Sequence, residues 1–552
     1  MTAVATAHPS PAYAGTGRLI RLALRRDRVQ IPVWLVAFAA VYSVTVLSIE
    51  DLYPTAADLH QLAVGSAVSP VVLATNGLVS GDSLGAIVAT QAMMYLALAA
   101  GLMNSMMIVR HTRQNEETGR AELVGAAVVG RRAMLTAALV VALASDVVLA
   151  ALIAVVSVVS GLPVAGSIAI GAATGAAGLA FAGVGAITAQ VTEGSRAANG
   201  LAGAVLGVSF LLRAVGDSTG TVDASGIRVV SGWPSWLSPI GWAQQVRPFD
   251  ADVWWVFAIF AVFVAMTVAL AYTLIGRRDH GAGLVQPRPG PARAAPHLPT
   301  ALGFAWRLHR TTLAWWALGI AVLAATYGSI ANEMDSFLDE GGGVADMVSE
   351  LGGGAEGLTD AYFAMTFLMM SFVIAAYAVQ AVLRMHGEEI SGRVEPLLST
   401  ALGRARWMLS HIAVAVVGIL VLHVILGVAV AVPYGMTIGD VGGPLGDLLP
   451  AAFAFVPAVL LVAAAAVLCV GVFPQRAGSV AWALFTVWVL IAQIGPLVRL
   501  PQWVMDLSPF THVPALPAAD LRPLPLVGLT VVAVVLAAAG VAALRRRDIS
   551  VQ

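Results

Sequence analysis

Glutamate and arginine side chains recur in one pattern at two places in the chain, once in each half. The acidic pair Glu116-Glu117 precedes Gly119-Arg120-Ala121-Glu122, and the pair Glu388-Glu389 precedes Gly392-Arg393-Val394-Glu395. Alternating charges of this kind can rim a small apolar contact and give a partner protein electrostatic steering and register. A solvated loop explains either segment alone, but the repetition favours docking, so we predict two docking elements.

Several kinds of chemistry are excluded because the residues that they need are missing. The chain contains no lysine, and a Walker A phosphate loop needs a lysine to reach the phosphates of a nucleotide. The single cysteine, Cys469, lies in an apolar run, and the sequence has no Cys/His metal cluster and no serine nucleophile elbow. We therefore predict no catalytic residue and no bound metal or cofactor.

Two titratable residues fall near the middle of long apolar runs, Asp146 in the third run and His423 in the ninth. A charge at the centre of a bilayer costs roughly 2.5–3.5 kcal/mol on insertion scales, so such a residue should face the interior of a helix bundle. Either side chain could contact a substrate or lock two helices together. We favour the locking role.

Tryptophan and proline cluster in two segments between apolar runs. Trp233 and Trp236 precede Pro239, and Trp503 precedes Pro509. Tryptophan favours the membrane interface and proline interrupts helices, so short interfacial or re-entrant helices are expected. The segments either gate an outward exit or anchor the protein in the interface.

The elements that position these residues must be membrane-spanning helices. Of the 552 residues, 59% are hydrophobic and only 11% are charged, and the mean hydropathy is +0.86. So few charges cannot cover the surface of soluble domains of this size. The net charge of −1 also argues against a nucleic-acid partner, which would require a basic face.

Twelve apolar runs have the ~20 residues that are needed to cross a bilayer. The runs cover about 29–48, 86–109, 133–158, 166–191, 197–216, 253–275, 312–331, 361–383, 407–432, 448–471, 478–498 and 524–544. We therefore predict an all-α polytopic membrane protein with twelve transmembrane helices.

The arginines predict the orientation of these helices in the plasma membrane. If both termini are cytoplasmic, 25 of the 30 arginines lie in cytoplasmic segments, as the positive-inside rule requires. Four of them recur at helical spacing before the first run and predict an amphipathic interfacial helix. They are Arg18, Arg21, Arg25 and Arg28.

Four landmarks occur twice in the same order, at nearly equal offsets along the chain. They are the two docking segments, the pairs Gly130-Arg131 and Gly403-Arg404, the Leu-Ser-Pro sequences ending at Pro239 and Pro509, and the closing basic sequences Arg277-Arg278-Asp279 and Arg546-Arg547-Asp548. We therefore predict two tandem six-helix halves in the same orientation. The predicted parts are an N-terminal cytoplasmic segment at 1–28, a first half at 29–279, a cytoplasmic linker at 280–305 and a second half at 306–552.

Six spans per half, the basic lead-in, the acidic Gly-Arg segment after span 2 and the Trp/Pro segment before span 6 resemble the type-2 permease fold of ABC transporters. The sequences EETGRAEL, EEISGRVEPLL and RRDHGAGLVQPRPGPA are similar to those of the fused, double-length exporter permeases of the tetronasin-resistance type. The similarity covers essentially the whole chain. It implies a permease that exports hydrophobic or amphiphilic compounds such as antibiotics, drugs or lipids.

The resemblance also implies a partner, a separately encoded ABC subunit in two copies that binds ATP and Mg²⁺. In that family the loop after span 2 is a coupling helix that docks on the ATPase. This role passes to both docking segments, namely to Glu116, Glu117, Gly119, Arg120 and Glu122 and to Glu388, Glu389, Gly392, Arg393 and Glu395. Because Ser391 and Pro396 break the match between the copies, the two contacts are expected to be unequal.

The mechanism implied by the resemblance is alternating access, with the halves rocking about a seam formed by spans 2, 5, 8 and 11. The side chains that face this seam are mostly small and apolar. Gln91, Asn104 and Gln380 are the polar groups assigned to this substrate pathway. Such a wall suits a hydrophobic substrate better than a sugar or an ion.

Two other functions compete with this interpretation. A proton-driven carrier of the major-facilitator type also has twelve spans and a charged loop after span 2, but it places more carboxylates in its cavity than Asp146 alone. A polytopic membrane enzyme could use Glu50-Asp51 as an acid or metal site, although adjacent acids at a helix end are usually solvated. Proton-driven transport without ATP would favour the first alternative.

Overall fold

The computed structural model describes residues 11–279, 281–285, 290, 292–296, 298–339, 355–495 and 500–547. Part of the predicted linker at 280–305 lies outside these residues. The chain divides into two compact units, Met1–Gly290 and Pro291–Gln552. In the described residues eleven helices are long and apolar enough to cross a membrane, and a twelfth apolar helix, Ala477–Gln493, is shorter. The predicted all-α polytopic fold is therefore confirmed.

Unit 1 contains twelve helices in its described residues, which we number in chain order. They are α1 (Thr16–Arg26), α2 (Gln30–Leu52), α3 (Ala56–Val68), α4 (Pro70–Thr75), α5 (Leu84–His111), α6 (Arg113–Glu117), α7 (Arg120–Gly125), α8 (Ala133–Val159), α9 (Val164–Val191), α10 (Ser195–Ser218), α11 (Pro239–Gln245) and α12 (Val256–Arg277). The six helices that can span a membrane are α2, α5, α8, α9, α10 and α12.

Helices α5 and α9 form the centre of unit 1, and they are its most buried spanning helices. Small residues let the neighbouring backbones approach closely, as is usual between membrane helices. A Cβ added at Gly171 of α9 would lie 2.2 Å from the carbonyl oxygen of Ala150 in α8. The glycine-rich sequence of α9 is thus explained by its central position.

Short elements lie between α10 and α12 in unit 1. Strand β1 (Thr221–Val222) pairs antiparallel with β2 (Val229–Val230), and a 3-10 helix at Trp233–Leu237 leads into α11. In α11 the side chain of Ser238 accepts hydrogen bonds from the first backbone N–H groups, and Pro239 occupies the first turn, where its missing N–H costs nothing. Short helices therefore occur where the Trp/Pro pattern predicts them.

Unit 2 contains nine helices in its described residues. They are α13 (Ala301–Asp339), α14 (Ala355–Ile390), α15 (Val394–Leu398), α16 (Arg404–Ile438), α17 (Gly442–Phe453), α18 (Val456–Val472), α19 (Ala477–Ile494), α20 (Gln502–Met505) and α21 (Pro523–Arg546). Helices α17 and α18 together form one candidate span. A 3-10 helix at Pro509–His512 follows α20.

Candidate functional site

The two predicted docking segments have the same backbone plan. In unit 1 a glycine with positive φ, Gly119 (φ 70°), stands between the helical residues ending at Glu117 and the short helix α7. In unit 2 Gly392 (φ 71°) stands between α14 and α15. Glycine is the residue that adopts this left-handed conformation without strain. Each segment is thus an elbow, and we call residues 113–125 elbow 1 and residues 385–398 elbow 2.

The first acid of elbow 1 does not lie on its surface. Glu116 Oε1 accepts a hydrogen bond from Arg278 at 2.6 Å, and Glu116 Oε2 accepts a second from the same guanidinium at 2.8 Å. Arg113 donates to Glu116 Oε2 at 2.9 Å. Both side chains of the Glu116–Arg278 pair are only 7% exposed. Glu116 therefore joins elbow 1 to the residue that follows α12.

Elbow 2 contains the same kind of pair. Glu389 accepts two hydrogen bonds from Arg547, at 2.6 Å to Oε1 and 2.7 Å to Oε2, and its side chain is 3% exposed. Arg547 is the residue that follows α21. The Glu116–Arg278 and Glu389–Arg547 pairs, which we call clamps, thus close the two units in the same way.

The other acid of each pair is held locally. Glu117 accepts hydrogen bonds from the backbone N–H and the hydroxyl of Ser195, at 2.9 and 2.5 Å. Glu388 lies 3.4 Å from both Arg384 and Arg393. Glu117 therefore stays at the surface while it is bonded to Ser195, whereas Glu388 is buried beside two arginines.

Five of the predicted docking residues are exposed. These are Glu117, Arg120, Glu122, Arg393 and Glu395. Beside them, the side chain of Leu123 is 80% exposed on elbow 1, and that of Ile390 is 52% exposed on elbow 2. Each elbow thus presents one arginine, at least one glutamate and an apolar side chain. A docking role for these surfaces stays a prediction.

Four further arginines are functional candidates, namely Arg131, Arg278, Arg404 and Arg547. In the sequence they stand out only as landmarks of the repeat, with no indication of a role. Arg131 donates to the backbone carbonyl of Arg278, and Arg404 donates to that of Arg547 at 2.6 Å. The signal that could have found them is their recurrence at nearly the same offset as the elbow acids.

Another buried carboxylate, that of Asp27, links the end of helix α1 to the end of α5, just before elbow 1. Asp27, which is 0% exposed, accepts a hydrogen bond from His111 Nε2 at 2.6 Å and forms an ion pair with Arg110. Burial raises the pKa of Asp27, but the hydrogen bond and charge of His111 and the charge of Arg110 outweigh burial and hold the pKa below its usual value. Asp27 is therefore an ionised anchor at neutral pH.

The two predicted intramembrane groups are both buried. Asp146 accepts a hydrogen bond from Asn104 Nδ2 at 2.8 Å, which joins α8 to α5. His423 contacts the carbonyl oxygen of Ile419 at 2.8 Å through Nδ1, and its ring lies 6.3 Å from that of Phe453. The hydrogen bond from Asn104 supports a locking role for Asp146. The hydrogen-bonding contact of His423 is with a residue of its own helix, one turn earlier.

The three polar residues assigned to the substrate pathway have different surroundings. Asn104 is 0% exposed and faces Asp146, so it contributes no surface to unit 1. Gln91 accepts a hydrogen bond from Asn76 at 2.7 Å, and Gln380 accepts one from the indole N–H of Trp316 at 2.7 Å. Gln380 is exposed and Gln91 is half-buried.

The residues assigned to an external gate fall into two groups. Trp233 and Trp503 are 74% and 70% exposed, as expected for interfacial side chains. Pro239 and Pro509 are buried, and Trp236 stacks on Trp255 with ring centroids 5.7 Å apart. The exposed tryptophans are thus attached to short helices that are packed into each unit.

The serine of each Leu-Ser-Pro sequence makes the same kind of bond. Ser238 donates to the carbonyl oxygen of Ser209 in α10 at 2.7 Å. Ser508 donates to that of Trp488 in α19 at 3.0 Å. Helix α10 of unit 1 and helix α19 of unit 2 are therefore fixed to the short helices that follow them.

A known protein resembles this chain over nearly its whole length, and a family model matches its second half. A family model for the C-terminal domain of the multidrug efflux system permease Rv1217c matches residues 298–545. The multidrug efflux system permease protein Rv1217c of Mycobacterium tuberculosis (strain ATCC 25618 / H37Rv) is 38% identical over 543 residues, which cover 98% of this chain and 96% of that protein.

Proposed function

The chain belongs to the Rv1217c family of multidrug efflux system permeases, an ABC-type family, and we propose that it is the membrane-spanning subunit of an ATP-driven exporter. Its cargo would be hydrophobic or amphiphilic compounds such as antibiotics, other drugs or lipids. The relative's name, the helices long enough to span a membrane and the absence of lysine from the sequence support this proposal. Without a Walker A loop the chain needs another polypeptide to bind ATP.

The partner is a separately encoded ABC subunit, in two copies, that carries ATP and Mg²⁺. The observation that carries this proposal is the pair of elbows, each with a positive-φ glycine and exposed Glu and Arg side chains. Two similar contact surfaces on one chain suit two copies of one partner. Charges of both signs at the rim of each surface would orient that partner as it docks.

The elbows and both termini lie on the cytoplasmic side of the plasma membrane in this proposal. The backbone N–H groups of Gly130 and Arg132, which follow elbow 1, donate to the carbonyl oxygens of Ala14 and Ala12. Arg26 of α1 donates to Asn115 of elbow 1 at 2.8 Å. The N-terminal segment therefore lies at the same end of unit 1 as elbow 1, and the arginine distribution supports a cytoplasmic location for that end.

We predict that the double substitution Glu122→Arg and Glu395→Arg uncouples the permease from its ATPase. Reversing one exposed charge on each elbow places like charges against the partner, which lowers association strongly. The measurement is drug-stimulated ATP hydrolysis and drug export in vesicles that contain the permease and the co-expressed ATPase. We expect both activities to fall by about tenfold or more.

The matched control is the double substitution Glu50→Arg and Asp520→Arg, which changes the net charge equally at exposed positions away from the elbows. It should leave both activities unchanged. Full activity of the elbow variant would rule out docking through these residues. Export that survives ATP depletion and stops when the proton gradient collapses would support a proton-driven carrier instead.

A further inference from the structure

The two clamps are parts of a larger network that occurs once in each unit. In unit 1 Arg278 binds Glu116 through its guanidinium and accepts a hydrogen bond from Arg131 at its backbone carbonyl. In unit 2 Arg547 binds Glu389 and accepts from Arg404 in the same manner. Three residues thus occupy matching roles in two copies that lie far apart along the chain. Chance contacts would not repeat in this way.

Each closing arginine contacts the ends of several helices at once. Arg278 Nε donates to Gln190 Oε1, near the end of α9, at 2.7 Å. Arg547 donates to the carbonyl oxygen of Val470, near the end of α18, at 3.2 Å. Together with the elbow glutamate and the arginine near the start of α8 or α16, each network joins the ends of four helices.

The geometry of the clamps makes them stiff. Both are bidentate, with two parallel N–H···O bonds that fix the guanidinium plane relative to the carboxylate. Their side chains are at most 15% exposed, so solvent screens them little. The elbow in each unit can therefore not turn relative to the last spanning helix unless these bonds break.

We propose that Arg278 and Arg547 are positioning residues for transport, which convert a displacement of each elbow into a displacement of α12 or α21. This inference rests on the proposed coupling to an ATPase. The exposed side of each elbow contacts the partner. The buried glutamate of the elbow transmits the displacement through the clamp to α12 in unit 1 or to α21 in unit 2. Glu116 and Glu389 act through this link and not through contact with the partner.

The two clamps are unequal in strength. Arg113 is a second arginine partner for Glu116, and it also donates to the carbonyl oxygens of Gly281 and Ala282. When the elbow glycines of the two copies are aligned, the position of Arg113 is occupied in unit 2 by His386. In the described part of unit 2, Arg547 is the one arginine that forms an ion pair with Glu389. Loss of Arg547 should therefore be more harmful than loss of Arg278.

The test compares Arg278→Gln and Arg547→Gln with the neighbouring controls Arg277→Gln and Arg546→Gln, whose arginines are exposed. The first readout is amide hydrogen exchange of residues 113–125 and 385–398 in the purified permease without ATPase. We expect faster exchange in the affected elbow for each clamp variant and no change for the controls. The exchange increase should be larger for Arg547→Gln.

The second readout is the amount of ATP hydrolysed per drug molecule exported by the complex in vesicles. Truncating one partner of a buried, hydrogen-bonded charge pair shifts an equilibrium by about tenfold or more, so we expect the ratio to rise by that factor in Arg547→Gln. The double variant Glu389→Arg with Arg547→Glu restores an ion pair with the charges exchanged, and it should restore part of the wild-type ratio. Such a rescue would show that the ion pair, and not a general defect of the variant protein, sets the ratio.

Unchanged hydrogen exchange in both clamp variants would overturn the clamp as a mechanical link. Faster exchange with a wild-type ratio of ATP to drug would overturn the role in transport. If the wild-type permease exports drug without any ATPase, the proposed function fails, while the exchange experiment still reports on the clamps. The two ideas can thus fail separately.

Discussion

At the scale of single residues, Asp27 shows how a buried charge can hold two helices together at the end where elbow 1 lies. Its carboxylate is removed from water, which is costly, and the nearby His111 and Arg110 groups compensate for that cost. The net effect is a pKa of Asp27 below the usual value. The folded protein therefore prefers the ionised form more strongly than the unfolded chain does.

This preference predicts a pH dependence of stability. A carboxyl group whose folded pKa is depressed stabilises the fold above its unfolded pKa of ~3.9, and the contribution is lost as the pH falls through the folded value. We expect the thermal midpoint of wild-type protein in detergent to exceed that of Asp27→Asn at pH 7. The gap should narrow below about pH 4.

The control for this measurement is Asp51→Asn, which removes an exposed carboxylate near the other end of α2. Its thermal midpoint should follow that of the wild type at every pH. An Asp27→Asn protein that is as stable as the wild type at pH 7 would contradict the anchoring role.

Individual residues were only partly predictable from the sequence. The elbow acids were recognisable because they recur with Gly-Arg partners, but the sequence pattern placed all of them on the docking surface. The structure instead buries Glu116 and Glu389 in clamps with residues 162 and 158 positions away. Local spacing contains no information on such distant partners, so exposed and buried members of one motif could not be separated.

At the scale of elements, the two elbows depend on a glycine in a conformation that other residues rarely adopt. No atom outside the local chain lies within 4 Å of a Cβ added at Gly119 or at Gly392. The requirement for glycine at these positions therefore comes from the backbone angle and not from crowding. An alanine there would cost roughly 1–2 kcal/mol.

We predict that Gly119→Ala with Gly392→Ala lowers drug-stimulated ATP hydrolysis, because the strain tilts both elbows away from the partner. Gly125→Ala is the matched control, since Gly125 lies in α7, has open space around it and lacks a positive φ. The control should retain wild-type hydrolysis in the same vesicle assay. Equal activity of the double variant and the control would show that the elbow turn is dispensable.

Most spanning helices were predictable because ~20 apolar residues in a row have few other uses. The main difference between the two units that hydropathy does not predict concerns the residues just before the first spanning helix. In unit 1 the amphipathic helix α1 is separate from α2, whereas in unit 2 the helix α13 runs without a break from Ala301. The hydrogen bonds that hold Asp27 at the α1–α2 junction are a tertiary feature, which hydropathy does not register.

At the scale of the whole molecule, the arginine distribution predicts the orientation of the protein in the membrane. The test uses single cysteines in a Cys469→Ser background, since Cys469 is the one cysteine of the chain. We expect a membrane-impermeant maleimide to label Asp520→Cys in intact cells and to label Glu122→Cys only after lysis. Both positions are exposed, so access to the reagent depends on the side of the membrane.

The starting Cys469→Ser protein is the background control and should remain unlabelled under both conditions. Labelling of Glu122→Cys in intact cells would show that the protein has the opposite orientation in the membrane. It would also remove elbow 1 from the compartment that contains ATP. The orientation test therefore bears on the proposed function as well as on the topology.

Each unit completes its own clamp from its own residues. The carbonyl groups of Gly281 and Ala282, which Arg113 binds, and the backbone N–H groups of Leu284 and Val285, which donate to the end of α9, tie the chain down just beyond α12. A permease split into two separately translated polypeptides after residue 285 would thus retain every one of these bonds. A break before residue 285 would place at least one of these bonding partners on the other polypeptide. Residue 285 is therefore the earliest point after which such a gene could be divided with all of these bonds kept within one polypeptide.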